Sequence, residues 1–168
     1  MARTPRTPHL DSRGQLRMVD VGSKPIARRY AIAVATVRMK ASALEALRSG
    51  ATPKGDVLAA ARVAGILAAK RTSELVPACH PVTLTSVTVE LELLDRVVLV
   101  SVRAEANDRT GVEMEALTAA SVAALTLYDM MKGLDRGMVI ERVQLEAKGG
   151  GRSGSWVRAT RTGDARGA

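Results

Sequence analysis

Asp129 and Lys132 stand three residues apart near the end of an alanine- and leucine-rich stretch, residues 110–132. On a helix that spacing lets their side chains meet. A solvated ion pair contributes little on its own, but this stretch also opens with Glu113 and Glu115. Its Val112, Leu117, Ala120, Ala124, Leu127 and Met131 recur at three- and four-residue steps, as one buried stripe would. Charges on a helix pressed on several sides need a reason beyond solubility. Elsewhere, Lys54 sits in a Pro-Lys-Gly loop just before a second helical pattern, where free amides and the helix dipole favour an anion. Lys70 ends that pattern. His80 lies between Cys79 and Pro81 and could be a turn residue, an acid–base group or a phosphate donor. Lysines, carboxylates and a histidine together suit a polyanionic substrate that undergoes proton transfers.

The elements that must position these groups follow from hydropathy patterning. Residues 18–21 form a short extended segment. Residues 27–39 alternate Tyr30, Ile32, Val34 and Thr36 on one side, as a strand does. Ser42 can cap a short helix over 43–48, which Gly50 ends. Asp56 caps a second helix whose buried face would hold Val57, Ala60, Ala64 and Leu67. Prolines at 77 and 81 mark an irregular link. Two alternating segments, 82–94 and 97–106, meet at Asp95-Arg96 as a hairpin. The long helix comes next, then a last strand over 138–147. Setting the small helix aside, the order is βαββαβ. That predicts an α+β, ferredoxin-like fold: an antiparallel sheet covered by helices, with one extra short helix.

At 168 residues the chain is one domain's worth, expected as a catalytic domain over 18–157 between basic tails at 1–17 and 158–168. No apolar run reaches the roughly 18 residues of a membrane span, and no hydrophobic segment follows the first basic residues as a secretory signal would. One cysteine excludes an internal disulfide and a Cys-ligated cluster. With one usable histidine it also falls short of a four-ligand zinc site, so no metal is expected. A reducing cytoplasm fits this composition. The net charge of +8 lies mostly in the ends, +3 in residues 1–17 and +3 in residues 152–168. With two tyrosines, one tryptophan and no phenylalanine, the chain lacks the rings on which single-stranded bases stack. No nucleic-acid partner is therefore expected.

Four segments carry a resemblance. Residues 54–72 (KGDVLAAARVAGILAAKRT), 76–81 (VPACHP), 111–132 (GVEMEALTAASVAALTLYDMMK) and 148–154 (KGGGRSG), with Met18-Val19-Asp20, closely resemble the molybdenum cofactor biosynthesis protein C (MoaC) family. The likeness runs from about residue 18 to residue 155. It implies a cyclic pyranopterin monophosphate synthase, which rearranges (8S)-3′,8-cyclo-7,8-dihydroguanosine 5′-triphosphate to the cyclic pterin and releases diphosphate without a bound cofactor. Carried over motif by motif, it implies catalytic roles for Asp129, Lys132, Lys54, Lys70 and His80. It further implies substrate contacts by Asp20, Ala78, Cys79, His80, Met114, Glu115 and Lys148. In the glycine loop the family pattern has lysine where this chain has Arg152, which keeps the charge but changes the donor geometry.

Glu115 and Asp129 are 14 residues apart, roughly 21 Å along a helix, and Lys54 and Lys70 bracket the other helix at similar length. One compact pocket cannot easily hold both ends of both helices. The expected site is shared between subunits, in keeping with the homohexamer, a trimer of dimers, that the resemblance implies. The competing reading is a non-catalytic, oligomeric ferredoxin-like module that binds nucleotides or RNA through its basic loops and tails. Such a module would show steep salt dependence.

Overall fold

Residues 9–11, 13–151 and 154–159 are described by the structure, a computed structural model. Its elements run β1 (Ala27–Arg38), α1 (Ala41–Ser49), α2 (Val57–Lys70), α3 (Thr72–Leu75), β2 (Leu84–Leu93), β3 (Val97–Asp108), α4 (Glu113–Met131), β4 (Val139–Gly149) and β5 (Trp156–Val157). The strands form one sheet in the order β2-β3-β1-β4-β5, antiparallel at every pairing. The first four give the ferredoxin-like arrangement expected from the sequence, and the two-residue β5 lengthens one edge.

Period-two alternation builds the helix-facing side of the sheet. Ala31, Ala33, Ala35 and Val37 of β1 are fully buried. They pair in register with Ala104, Val102, Val100 and Val98 of β3, also fully buried. The β2–β3 hairpin closes as expected around Asp95-Arg96, with Leu94 N–H donating to the Val97 carbonyl at 2.9 Å.

Against this face lie α2 and α4, antiparallel to each other and very close. A side chain at Gly65 of α2 would meet the Ala119 carbonyl of α4 at 3.1 Å, Val89 of β2 at 3.2 Å and Ala123 of α4 at 3.4 Å. Ala116, Ala119, Ala120, Ala123 and Ala124 of α4 are all fully buried. The alanine-rich sequence thus serves close approach, so that close-packed contacts accumulate without large side chains. Because the helices run antiparallel, Lys54 before α2 meets the C-terminal end of α4, and Lys70 lies toward its N-terminal end.

Two local expectations are corrected. Helix α1 begins at Ala41, not 43, and Lys40 rather than Ser42 occupies its N-cap with no side-chain cap of its own. Asp135 anchors that N-cap residue, accepting from Lys40 N–H at 2.8 Å and from Gly137 N–H at 2.9 Å. The Lys40 amide chiefly, with Gly137 also contributing, holds this carboxyl below its ordinary range. Ninety-five residues separate Asp135 from Lys40, so no local motif announces the contact. On α2 the buried face is Val57, Ala61, Gly65, Ala68 and Ala69. Leu67, expected inside, is 51% exposed, because the helix turns its smallest residue, Gly65, toward α4.

Candidate active site

The expected residues gather in two clusters at opposite ends of α4. At its C-terminal end, Lys132 Nζ donates to Asp129 Oδ1 at 2.7 Å. Lys54 Nζ donates to Asp129 Oδ2 at 2.9 Å and to the Asp129 carbonyl at 3.0 Å. Both carboxylate oxygens thus face an ammonium group. Hydrogen bonds from Lys132 and then Lys54, reinforced by their charges, depress the Asp129 carboxyl to about 2. Asp129 in return raises Lys132 above the ordinary lysine value. All three side chains are close to half exposed, and exposed pairs of this kind add little to stability. Open to solvent and doubly cationic, this end is suited to receive an anion.

At the N-terminal end of α4 the groups are enclosed. Glu115 is only 2% exposed, and its Oε2 has no hydrogen-bond partner. The Cys79 thiol donates to Glu115 Oε1 at 3.6 Å. Burial first, then the charges of Glu113 and Asp108, raise the Glu115 carboxyl, against the opposing pull of its own backbone amide and the Cys79 thiol. Cys79 is itself pushed up to about 11 by burial and by Glu115. His80 Nε2 lies 2.7 Å from the Val19 carbonyl. Facing an acceptor, Nε2 donates in this contact. Ala78, Cys79, His80, Met114 and Glu115 line one cavity of about 340 Å³. It adjoins a larger cleft of about 900 Å³ lined by Lys148 and the glycines 149–151, the two sharing Val19, Lys24, Thr110, Gly111 and Glu113. Lys148 Nζ bridges to Glu113 Oε1 at 2.8 Å.

Two expected residues stand apart from these contacts. Asp20 is exposed and closes a turn by accepting from Gly22 N–H at 2.8 Å. Lys70 is exposed at the end of α2. Arg152 lies outside the described residues. Sequence reasoning also missed residues that the fold brings to the cleft. Lys24, Arg29 and Arg109 line it, and His9, read as tail, reaches the cavity of His80. His9 arrives because the chain doubles back there, with Arg17 N–H donating to the His9 carbonyl at 2.9 Å and Leu10 bridging Leu16. Asp11 supports that turn by accepting from Arg13 and Gln15 amides. An Asp–x–Arg–Gly turn in the sequence was the only available signal. Among the described residues no group of three or more His, Cys, Asp or Glu side chains is placed to hold a metal ion. None of their helices is long and apolar enough to cross a membrane.

Both clusters fall within residues 18–151, and that stretch matches the MoaC family. The chain belongs to the MoaC family. It is similar to the cyclic pyranopterin monophosphate synthase of Thermomicrobium roseum, 57% identical over 152 residues that cover 89% of this chain and 92% of the relative. The synthase of the same name from Novosphingobium aromaticivorans is 54% identical over 151 residues, 90% of this chain and 96% of that one. The four segments whose likeness to MoaC is visible in the sequence contribute Lys54, Cys79, His80, Glu115, Asp129, Lys132 and Lys148 to the two ends of α4.

The buried carboxyl in this MoaC chain has a thermodynamic signature. Its folded-state affinity for a proton exceeds that of the unfolded chain, so its contribution favours folding at low pH and is lost as pH rises through the raised value. Glu115→Gln removes the ionisation. The expected result is a melting temperature that gains on the parent as pH rises from the ordinary carboxyl value of about 4 and levels off once the buried carboxyl is ionised. Calorimetry showing a constant difference across that range would refute it.

Proposed function

We propose that this MoaC-family chain is a lyase of molybdenum cofactor biosynthesis, a cyclic pyranopterin monophosphate synthase. It converts (8S)-3′,8-cyclo-7,8-dihydroguanosine 5′-triphosphate to cyclic pyranopterin monophosphate and releases diphosphate. The observation that carries this reading is the likeness over about nine-tenths of the chain to relatives that bear the synthase name. The alternative of an RNA- or nucleotide-binding module is set aside on the same ground.

The chemistry asks for two things. Closing a cyclic phosphate while diphosphate departs builds negative charge, which fixed cations stabilise most in the transition state. Opening the guanine five-membered ring and rebuilding it as a pterin needs several proton transfers. Lys54, Lys132 and Lys70 are the cations assigned to the anionic groups, and Lys148 lines the larger cleft beside the glycine loop. Asp129, in contact with two ammonium groups, is ionised and accepts protons. His80 and Glu115, whose proton affinity burial raises, are the other proton carriers. Ala78, Cys79 and Met114 shape the cavity around them, and Asp20 fixes the turn beside Val19, whose carbonyl holds His80.

The two clusters belong to different active sites in this reading. Within one chain the continuous α4 separates Glu115 from Asp129 by roughly 21 Å. Each site would join the buried end of one subunit to the open end of another, in a homohexamer built as a trimer of dimers. Val63, Leu67 and Leu125, apolar and more than half exposed on the helices, supply surface for such contacts. A cytoplasmic enzyme suits the single free thiol of Cys79.

The test is direct. Purified protein supplied with the cyclised dihydro-GTP should yield diphosphate and the pterin in equal amounts. Authentic substrate that remains unconverted would sink the assignment.

A further inference from the structure

Three consecutive glycines, Gly149, Gly150 and Gly151, lie against three consecutive residues of β1. A side-chain carbon on Gly149 would run into the Tyr30 ring, on Gly150 into the Arg28 carbonyl oxygen, and on Gly151 into the Arg29 guanidinium. Gly150 and Gly151 also have φ of 96° and 68°, values that other residues rarely adopt. The glycine loop is therefore pressed flat onto the start of β1, and Arg29 crosses it.

The guanidinium of Arg29 does not aim at open solvent. Its Nε donates to the Asp108 carbonyl at 3.2 Å, its Nη2 to the Arg109 carbonyl at 3.2 Å, and its Nη1 to the Gly150 carbonyl at a long 3.5 Å. One planar fork thus ties β1 to two separate segments, the end of β3 with the turn leading into α4, and the glycine loop. Both segments line the 900 Å³ cleft, the first through Arg109, Thr110 and Gly111 and the second through Gly149, Gly150 and Gly151. Across the same cleft, Lys148 at the head of the loop bridges Glu113 in the first turn of α4. The spacing of loop and helix, and with it the placement of Lys148, depends on what holds the walls together.

We propose that Arg29 is a positioning residue, a splint that sets the glycine loop and Lys148 against the phosphates of the substrate. This rests on the synthase reading given above and extends it to a residue that acts through Lys148 and main-chain carbonyls. A lysine cannot substitute, because a single ammonium on a flexible stem cannot span three carbonyls that diverge as these do.

Arg29→Lys keeps the charge and removes the fork, so it is the informative variant, with Arg29→Ala beside it. In both, amide hydrogen exchange is expected to quicken in residues 147–151 and 108–112 while α2 and β1–β3 keep their protection. Affinity for inorganic diphosphate, measured calorimetrically, and KM for the cyclised dihydro-GTP should each worsen about tenfold or more, with kcat changing less. Lys148→Ala should produce a similar loss, and the double variant Arg29→Lys/Lys148→Ala no greater one, because both act on the same contact.

Wild-type affinity and exchange in Arg29→Lys would overturn the proposal, since charge alone would then suffice. Additive losses in the double variant would overturn it too, by showing that Arg29 meets the substrate independently of Lys148. The exchange and diphosphate measurements need no turnover. If the parent protein makes no pterin, the synthase reading fails while those two arms still judge the splint.

Discussion

Asp129→Asn is expected to lower kcat by about 10²- to 10⁴-fold, the range associated with a positioned acid–base group, and to leave the fold intact. The reason lies in how Asp129 is held. With Lys132 on one oxygen and Lys54 on the other, the carboxyl at about 2 is ionised near neutral pH. An asparagine keeps the shape but carries no negative charge. It can neither take a proton nor hold two ammonium groups together. Lys132, which Asp129 raises, then returns toward its ordinary value. The stability cost should be slight, since these side chains are close to half exposed. Such cost as exists follows the sign of a depressed carboxyl. It is present above the unfolded carboxyl's ordinary value of about 4 and lost as pH falls toward 2. Turnover of the cyclised dihydro-GTP, read beside the melting temperature, checks both halves. A variant with parental kcat would remove Asp129 from the reaction.

Mixing two inactive variants is expected to restore activity. Glu115→Gln disables the buried end of α4 and Asp129→Asn the open end. If every site were built within one chain, each chain in a mixture would stay inactive. If a site draws Glu115 from one subunit and Asp129 from another, random assembly leaves about a quarter of the sites with both groups intact. Co-expressed variants should therefore recover close to that fraction of parental turnover, whereas the same proteins mixed without subunit exchange should not. Recovery absent from demonstrably mixed assemblies would place the whole reaction within a single subunit. The physical basis is the straightness of α4. A helix of 19 residues keeps its ends roughly 28 Å apart, and no side chain in it is long enough to close that gap.

Much of the fold follows from local pattern. The alternation along residues 27–39 becomes β1, the Asp95-Arg96 turn becomes the β2–β3 hairpin, and Asp56 caps α2 by accepting from Ala59 N–H at 2.9 Å. The three- and four-residue steps of α4 place Val112, Ala120, Ala124, Leu127 and Met131 inside, all fully buried. Errors appear where a distant residue overrides the local signal. Ser42 looks like the cap for α1, yet the helix begins at Ala41 after Lys40, whose amide Asp135 holds from beyond α4. Leu67 looks like core, yet Gly65 determines which side of α2 faces α4, because the closest backbone approach is available only there.

The candidate site divides in the same way. The amino-acid sequence alone nominates the candidate groups, Lys54, Lys70, His80, Glu115, Asp129, Lys132 and Lys148, and through their motifs identifies the family. Residue type and spacing are local properties, and those suffice for such a reading. Tertiary structure decides which groups meet. It brings Lys54 across 75 residues to Asp129, folds His9 back to the cavity of His80, and lays Arg29 across the glycine loop. It also decides their state. Asp129 and Glu115 are both carboxylic acids on one helix, and the sequence cannot tell them apart in proton affinity. Two ammonium groups in open water depress the first, and burial raises the second. Solvation and the charges of neighbours exist only once the chain has folded.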